Sequence, residues 1–520
     1  MANPNGDRTT TSPLRLTIVD AVGIFFLCAF LLIISYFRSR HRMFWGDEMM
    51  GSFVLKQPTW SGLLRLWNAG IDSSGIWFYV LGRPWIAVFG ASEVSLREFS
   101  AVGIAAAVSV FWIAARRFYS VLPVAAATFF FIASSSVLRW QLANGRTYGI
   151  FMLACALLLY LMVRGQDEDA TRPTPLFLLA TFAAYAFLAG SHILGLLYSV
   201  AFLGIQIALD LYSRRLRALL YLSAACATGL VVFFSSVNIK STVALGKPSF
   251  WTVRPRFRDL LTSHVLVNHR VLAVLGILIV LTALVFQVRR LRMPVYIIFL
   301  GFVALYLLFF AISRVSTSIY VDRYLMPFYF AEVFLLCELL TQLHDANAPW
   351  PRLRAGLPFL ILLLAVPEFF LPRFQVLWFP FSDYTNDMLA ALPPGLPVVD
   401  TDPASFIEVE FYHRGAIGRP WLFPVDWEVA LDHANTGGVS GYHELDNFKI
   451  FGIYADDILP GADILANNRE FIVLSDKPDL WLERRILSNP HFSATKIGTF
   501  RSSVNAMDGN SFGIWLVKAL

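Results

Sequence analysis

Apolar residues run along this chain in long blocks, not at the alternation of a soluble strand or the stripe of a soluble helix. A bilayer core takes about 20 predominantly apolar residues as a helix. Blocks of that length, or close to it, fall at 17–36, 98–115, 121–138, 147–163, 175–190, 193–211, 217–236, 271–288, 294–312, 324–342 and 355–371. A shorter apolar stretch at 76–90 is rich in aromatics and interrupted by Arg83-Pro84, which predicts a helix lying at the membrane interface and not across it. Beyond residue 374 the pattern changes. Short strand-like runs (397–400, 471–474, 514–517) alternate with helical stretches such as 479–488, the signature of a small α/β domain. The predicted fold class is a polytopic α-helical membrane protein of about eleven transmembrane helices with a C-terminal extracytoplasmic α/β domain. Its expected parts are a cytoplasmic segment 1–16, a membrane domain 17–373 with a first outer loop 37–97, and a soluble domain 374–520. No internal repeat is visible.

Composition changes this picture little. The chain is 57% hydrophobic and 15% charged, with mean hydropathy +0.60; a soluble chain of 520 residues could not bury that much apolar surface. Charge divides where the pattern does. Up to Arg373 there are 32 Lys and Arg against 17 Asp and Glu, and from Phe374 onward 10 against 19. A basic apolar body and an acidic mixed tail read as two environments. Cys28, Cys155, Cys226 and Cys337 all lie inside apolar runs, which predicts packing residues and excludes a disulfide framework or a CxxC metal site.

Charge also orients the spans. With the N-terminus cytoplasmic, the loops on its side carry Arg116-Arg117, Arg164 with Arg172, Arg214-Arg215 with Arg217, Arg289-Arg290 with Arg292, and Arg352 with Arg354. All are short and basic, as the positive-inside tendency requires. Were 76–90 a span, every later pair would move outside. The expected location is therefore a multi-pass plasma (inner) membrane protein, with long outer loops at 37–97 and 237–270 and the tail outside. Ser440 and Asn510 are expected outside and Gly165 and Asp345 inside. Glu332 and Glu338, on the late span, are expected to face the bundle beside a polar partner.

The outer loops break the charge rule. They hold Arg38, Arg40, Arg42, Lys240, Lys247, Arg254, Arg256, Arg258, Arg314 and Arg323. Headgroup contact accounts for cations at such places; so many on the disfavoured side also suit an anionic ligand such as a lipid-linked phosphate. Just past the first span comes Phe44-Trp45-Gly46-Asp47-Glu48. Adjacent carboxylates among aromatics near a membrane surface are candidates for general-base work, since partial burial tunes their pKa. The same acids would also serve as an N-cap, with Asp47 or Gly46 opening an amphipathic segment 49–67.

Several elements in order then resemble a family. The acidic pair after the first span is followed by the amphipathic loop and by Ser92-Glu93-Val94-Ser95-Leu96-Arg97-Glu98 entering the next span. Asn144-Gly145-Arg146-Thr147-Tyr148 looks like an "ARxY" element, Tyr320-Val321-Asp322-Arg323-Tyr324-Leu325-Met326-Pro327 like an "RYxxP" element, and Ser191-His192 stands where relatives often carry Thr-His. Over roughly residues 15–345 the chain resembles the GT-C glycosyltransferases, and within them the bacterial relatives of the protein O-mannosyltransferases and of the lipid A aminoarabinose transferase.

The resemblance implies an inverting transferase that takes a sugar from a polyprenyl-phosphate donor at the outer face and passes it to a glycan, lipid or protein acceptor. It makes Asp47 the acid that deprotonates the acceptor, with Glu48 beside it. Arg146 and Arg323 would hold the donor phosphate, and Tyr148 and His192 would line the site. Relatives carry His-Pro-Pro or Lys-Pro-Pro before the interfacial helix, whereas this chain has Asp72-Ser73-Ser74-Gly75. Asp72 would then serve a different acceptor, or Arg83 would supply the missing cation. The expected partners are the lipid-linked sugar and membrane lipids, with no nucleic acid. No cofactor is expected, and no second carboxylate cluster marks a metal site. The competing class is a transporter or flippase of a lipid-linked saccharide, which inverted repeats and matched broken spans would favour.

Overall fold

The computed structural model describes residues 16–167, 173–246, 254–262, 276, 292–316, 318–345, 356, 358–361, 363, 383–426, 439–475, 481–501 and 511–520. In chain order its helices begin with α1 (Ile18–Ser39), α2 (Gly46–Leu55), α3 (Trp60–Asn68), α4 (Ile76–Phe89), α5 (Glu93–Ala115), α6 (Val121–Ser134) and α7 (Ser136–Gln141). They continue with α8 (Tyr148–Asp167), α9 (Pro175–Ser191), α10 (Gly195–Tyr212), α11 (Ala218–Phe234), α12 (Ser236–Gly246), α13 (Asp259–Thr262), α14 (Met293–Val315) and α15 (Phe328–Asp345). The C-terminal segment runs α16 (Tyr384–Ala391), β1 (Val398–Asp400), α17 (Pro403–His413), β2 (Trp421–Pro424), α18 (Val439–Ile450) and β3 (Ile458–Leu459). It ends with α19 (Gly461–Asn467), β4 (Glu470–Ser475), α20 (Trp481–Leu487), β5 (Phe492–Arg501) and β6 (Ser511–Ala519). Two compact units result. One holds 1–39, 74–234 and 254–377; the other holds 40–73, 235–253 and 378–520.

The first unit is a helical membrane domain. Among the described residues, α1, α5, α8, α10 and α14 are long and apolar enough to cross a bilayer, while α4, α6 and α9 are shorter apolar helices. The predicted blocks at 271–288 and 355–371 lie almost wholly outside the described residues. Close packing of α5 on α8 organises the centre. A Cβ on Gly149 would stand 2.0 Å from the Ser100 carbonyl oxygen, so only glycine lets the two backbones approach this far. The basic loops also cap helix ends. Arg215 and Arg217 donate to the Gln166 and Gly165 carbonyls at the end of α8, at 2.9 and 3.1 Å. Arg217 is buried against Asp210 at 2.6 Å, and Arg116 reaches Asp20 at 2.5 Å. Glu338 is buried with the polar partner expected of it, its Oε1 accepting from Gln342 Nε2 at 2.8 Å.

One predicted span is broken. The block 121–138 divides at Ser135, which is extended (φ −80°, ψ 103°) and whose Oγ accepts from the Leu138 N–H at 3.1 Å. A serine hydroxyl competes with the helix for backbone donors. Three serines in a row end α6 and start α7, which turns Arg139 into the protein interior, 6% exposed.

The second unit is built on a six-stranded sheet of order β3-β2-β1-β4-β6-β5. The β3-β2-β1-β4 half is parallel, and β6 pairs antiparallel with both β4 and β5. Strands β1, β2 and β4 are almost wholly buried and read as continuous apolar runs, as a covered parallel sheet requires. Edge strand β5 alternates exposed and half-buried positions and bulges between Lys496 and Gly498. Helices α2, α3 and α12 belong to this unit: α2 packs on α17, and α12 packs on α3 and α18. The Asn238 side chain donates to the Trp67 carbonyl at 2.5 Å.

Candidate functional site

In the first unit three sequence-distant elements converge. Residues 144–147 lead into α8, His192 ends α9, and Arg323 sits in a single 3-10 turn, Asp322–Tyr324, before α15. The His192 ring lies 5.6 Å from Tyr148, 5.5 Å from Phe151 and 5.4 Å from Tyr324, centroid to centroid. The Arg323 guanidinium stands 5.3 Å over the Tyr324 ring, and Tyr198 Oη donates to the Tyr324 carbonyl at 2.8 Å. Thr147 Oγ1 donates to the Ser191 carbonyl, fastening the 144–147 turn to the end of α9. Arg146 is 4% exposed, a guanidinium carried almost entirely out of solvent.

Electrostatics at this cluster are set by the two cations. Burial, then Arg146 and Arg323, push the His192 pKa down to about 3. The imidazole is therefore neutral at pH 7, and its Nδ1 accepts from the Leu194 N–H at 3.1 Å, which leaves the proton on Nε2. A neutral ring donor beside two guanidiniums suits an anion: it adds a hydrogen bond and no charge that varies near neutrality. Buried beside them is Asn144, 1% exposed, whose side-chain nitrogen and oxygen both lack a hydrogen-bond partner among the described residues. Such an amide is costly unless something in the site satisfies it.

Residues 74–75 are held on this cluster through their own backbone. Ser74 forms an antiparallel bridge with His192, and a Cβ on Gly75 would lie 2.2 Å from the Gly190 carbonyl oxygen. Where the resemblance expects prolines, this chain has a glycine that lets the loop lie flat against the end of α9. Gly75→Ala is expected to destabilise the protein by about 1–3 kcal/mol and to weaken anion binding, because the backbone that must yield carries His192. Gly229→Ala, where nothing lies within 4 Å, supplies the control and should leave the melting temperature unchanged or raised. Thermal melts of both variants check this; equal melting temperatures would remove the steric argument.

The second unit carries the acids. Helix α2 starts from Trp45 as N-cap, so Gly46, Asp47 and Glu48 fill its first turn and neither Asp47 nor Gly46 is the cap. Glu48 is 1% exposed and its Oε2 accepts the Trp45 N–H at 3.2 Å. That makes Glu48 the capping carboxylate. Asp47 is half-buried, freed from the capping role by its neighbour. Asp72 is buried in the same unit, 3% exposed. Arg83 is half-buried on α4, in the first unit.

Sequence reasoning missed Arg139 and Tyr324. Helix α7 packs against the 322–324 turn, and Arg38 Nη1 donates to the Arg139 carbonyl at 2.9 Å. Arg139 lies just past the predicted block 121–138; the run Ser134-Ser135-Ser136 was the available signal that the helix breaks before it. Tyr324 was legible only as part of its motif, since its ring–ring contacts come from Tyr148 and His192, more than 130 positions away.

No family model and no curated protein matches the chain. Among solved structures it is similar to ArnT from Cupriavidus metallidurans bound to undecaprenyl phosphate, with TM-score 0.54 and 14% identity over 96% of this chain and 98% of that one. The apo state of the same ArnT gives TM-score 0.52 and 13% identity over the same shares. At this identity the likeness speaks for architecture, and it extends through both the membrane helices and the C-terminal sheet domain. The chain is a multi-pass membrane protein with the fold seen in these ArnT structures.

Proposed function

We propose that the protein is a GT-C glycosyltransferase that moves a sugar from a polyprenyl-phosphate donor to an acceptor hydroxyl at the outer face of the membrane. The observation that carries this reading is the whole-chain fold likeness to an ArnT structure that holds undecaprenyl phosphate. The buried Arg146, the half-buried Arg323 and the neutral histidine give it a chemistry. In the proposed reaction the acceptor hydroxyl gives its proton to the Asp47 carboxylate while its oxygen bonds to the anomeric carbon. The bond from that carbon to the phosphate oxygen breaks, and the polyprenyl phosphate leaves with the electron pair. A single displacement of this kind inverts the anomeric centre. Charge grows on the phosphate as it leaves, and guanidinium groups bond phosphate oxygens in pairs, so Arg146 and Arg323 are assigned to it. His192 and Tyr148 line the same site.

Incubating the purified full chain with a panel of radiolabelled polyprenyl-phosphate sugars and crude envelope acceptors tests the activity. Label should pass to a product that is no longer polyprenyl-linked; failure with every donor would end this reading. Sidedness is tested by single-cysteine labelling of intact cells. Gly165 is buried against Arg217 and makes a poor probe, whereas neighbouring Arg164 is exposed, as is Ser488 in the sheet domain. An impermeant thiol reagent should mark Ser488→Cys and spare Arg164→Cys until the cells are permeabilised. The reverse pattern would invert the proposed orientation.

A further inference from the structure

Helix α2 has little to hold it together alone. It is 10 residues long, opens on Gly46 and contains Gly51, and isolated helices of that length are marginal in water. Yet its apolar residues Met49, Met50, Val54 and Leu55 are buried. Helix α3 packs on it, and so does α17 of the C-terminal domain. The Phe53 ring sits edge-on among Phe411 at 5.5 Å, Phe448 at 5.2 Å and Tyr454 at 5.7 Å. Phe44 packs edge-on against Phe411 at 6.0 Å. Three residues before Asp47, the Phe44 N–H donates to Tyr412 Oη at 2.8 Å, and Lys56 Nζ closes the far end of the helix 4.8 Å over the Phe411 ring.

The seat is itself fastened to the sheet. Asp402 caps α17 by accepting the Ser405 N–H at 2.8 Å, and Asp400, at the end of β1, accepts the Ser405 hydroxyl at 2.6 Å. Phe406 packs on Phe423 of β2 at 5.3 Å, and Tyr442 Oη ties α18 to the Thr401 carbonyl at 2.7 Å. An unbroken series of contacts thus runs from β1 and β2 through α17 to the turn that carries Asp47.

We infer that the C-terminal domain is the mount of the acid-bearing helix: Phe411, Tyr412, Phe448 and Tyr454 are positioning residues that set where the Asp47 carboxylate stands. The inference rests on the proposed function for its catalytic consequence, but not for the mounting itself. A general base works only within hydrogen-bond reach of its proton, and a displacement of about 1 Å can cost about 10²-fold in rate. A loop helix hung between a membrane span and an interfacial helix gains that precision from a rigid sheet domain.

Hydrogen exchange on the intact protein separates the two layers. In Phe53→Ala, amides of 46–55 should exchange about tenfold faster or more, while those of β4 and α17 stay as in the parent. Phe53→Leu, which keeps apolar volume, should restore most of the protection. Turnover should follow α2 protection, falling about 10- to 100-fold in Phe53→Ala, with undecaprenyl phosphate affinity held within about twofold. Tyr412→Phe removes the hydroxyl that accepts the Phe44 N–H and should shift both readouts in the same direction, less far; it carries the test if Phe53→Ala unfolds the domain. Unchanged exchange of α2 in both variants overturns the mount. Faster exchange with unchanged turnover overturns the positioning role. An inactive parent enzyme would be a failure of the proposed function instead, and the exchange data would still decide the mount.

Discussion

Asp47→Asn is expected to keep the fold and the affinity for undecaprenyl phosphate while turnover falls about 10²–10⁴-fold, the usual contribution of a positioned general base. The structure sharpens this test. Had Asp47 been the N-cap, asparagine would have capped nearly as well and a silent mutant would have been ambiguous. The cap is Trp45, and the carboxylate that closes the turn is Glu48. The charge of Asp47 near the positive end of the helix dipole is worth about 0.3–1 kcal/mol to α2, too little to unfold a helix packed as α2 is. Glu48→Gln should behave in the opposite manner, because the amide oxygen still accepts the Trp45 N–H: folding and turnover both stay near those of the parent. Robust turnover in Asp47→Asn would defeat the assignment of the base and leave the membrane fold untouched.

Arg146→Lys and Arg323→Lys are expected to weaken donor binding by about 1–3 kcal/mol each, the range for a charge-assisted hydrogen bond to a desolvated group. Lysine keeps the charge but loses the planar fork that can bond two phosphate oxygens at once. Isothermal titration with undecaprenyl phosphate reads the effect directly, and acceptor affinity should change less. His192 gives an internal check on the assignment. With a pKa near 3 it is neutral throughout the range from pH 5 to 8, so its titration adds no pH dependence to donor binding there. The sign follows from the depressed value: the stability that the neutral ring contributes is full above the ordinary imidazole pKa of 6.5 and is lost as pH falls from there towards about 3, where protonation adds a third positive charge. Unchanged donor affinity in both lysine variants would remove Arg146 and Arg323 from the site.

Much of this protein was legible before any tertiary structure. A helix that crosses a bilayer must satisfy its backbone internally and bury its length in lipid, so the apolar block is a local property of the chain. That is why α1, α5, α8, α9, α10, α11, α14 and α15 fall on predicted blocks, and why β1, β4 and β6 fall on strand-like runs. The short, interrupted stretch at 76–90 was likewise read as a helix from its own residues, and α4 occupies it. Glycine at 149 and the serine run at 134–136 carried their signals too, but each has meaning only against a partner: the α8 backbone against α5, and the Ser135 hydroxyl against a competing helix N–H.

Tertiary structure decided what the local pattern could not. That Arg146, His192 and Arg323 share a cluster depends on where α8, α9 and the turn before α15 end, and no spacing in the sequence encodes a distance across a bundle. Which of two adjacent acids closes the turn depends on the extended backbone at Trp45. The partners of Phe53 lie more than 350 residues further on, at Phe411, Phe448 and Tyr454. Apolar blocks and alternating strands are written residue by residue, because the solvent, lipid or water, acts on each residue locally; convergence of side chains is a property of packing, which exists only once the chain has closed on itself.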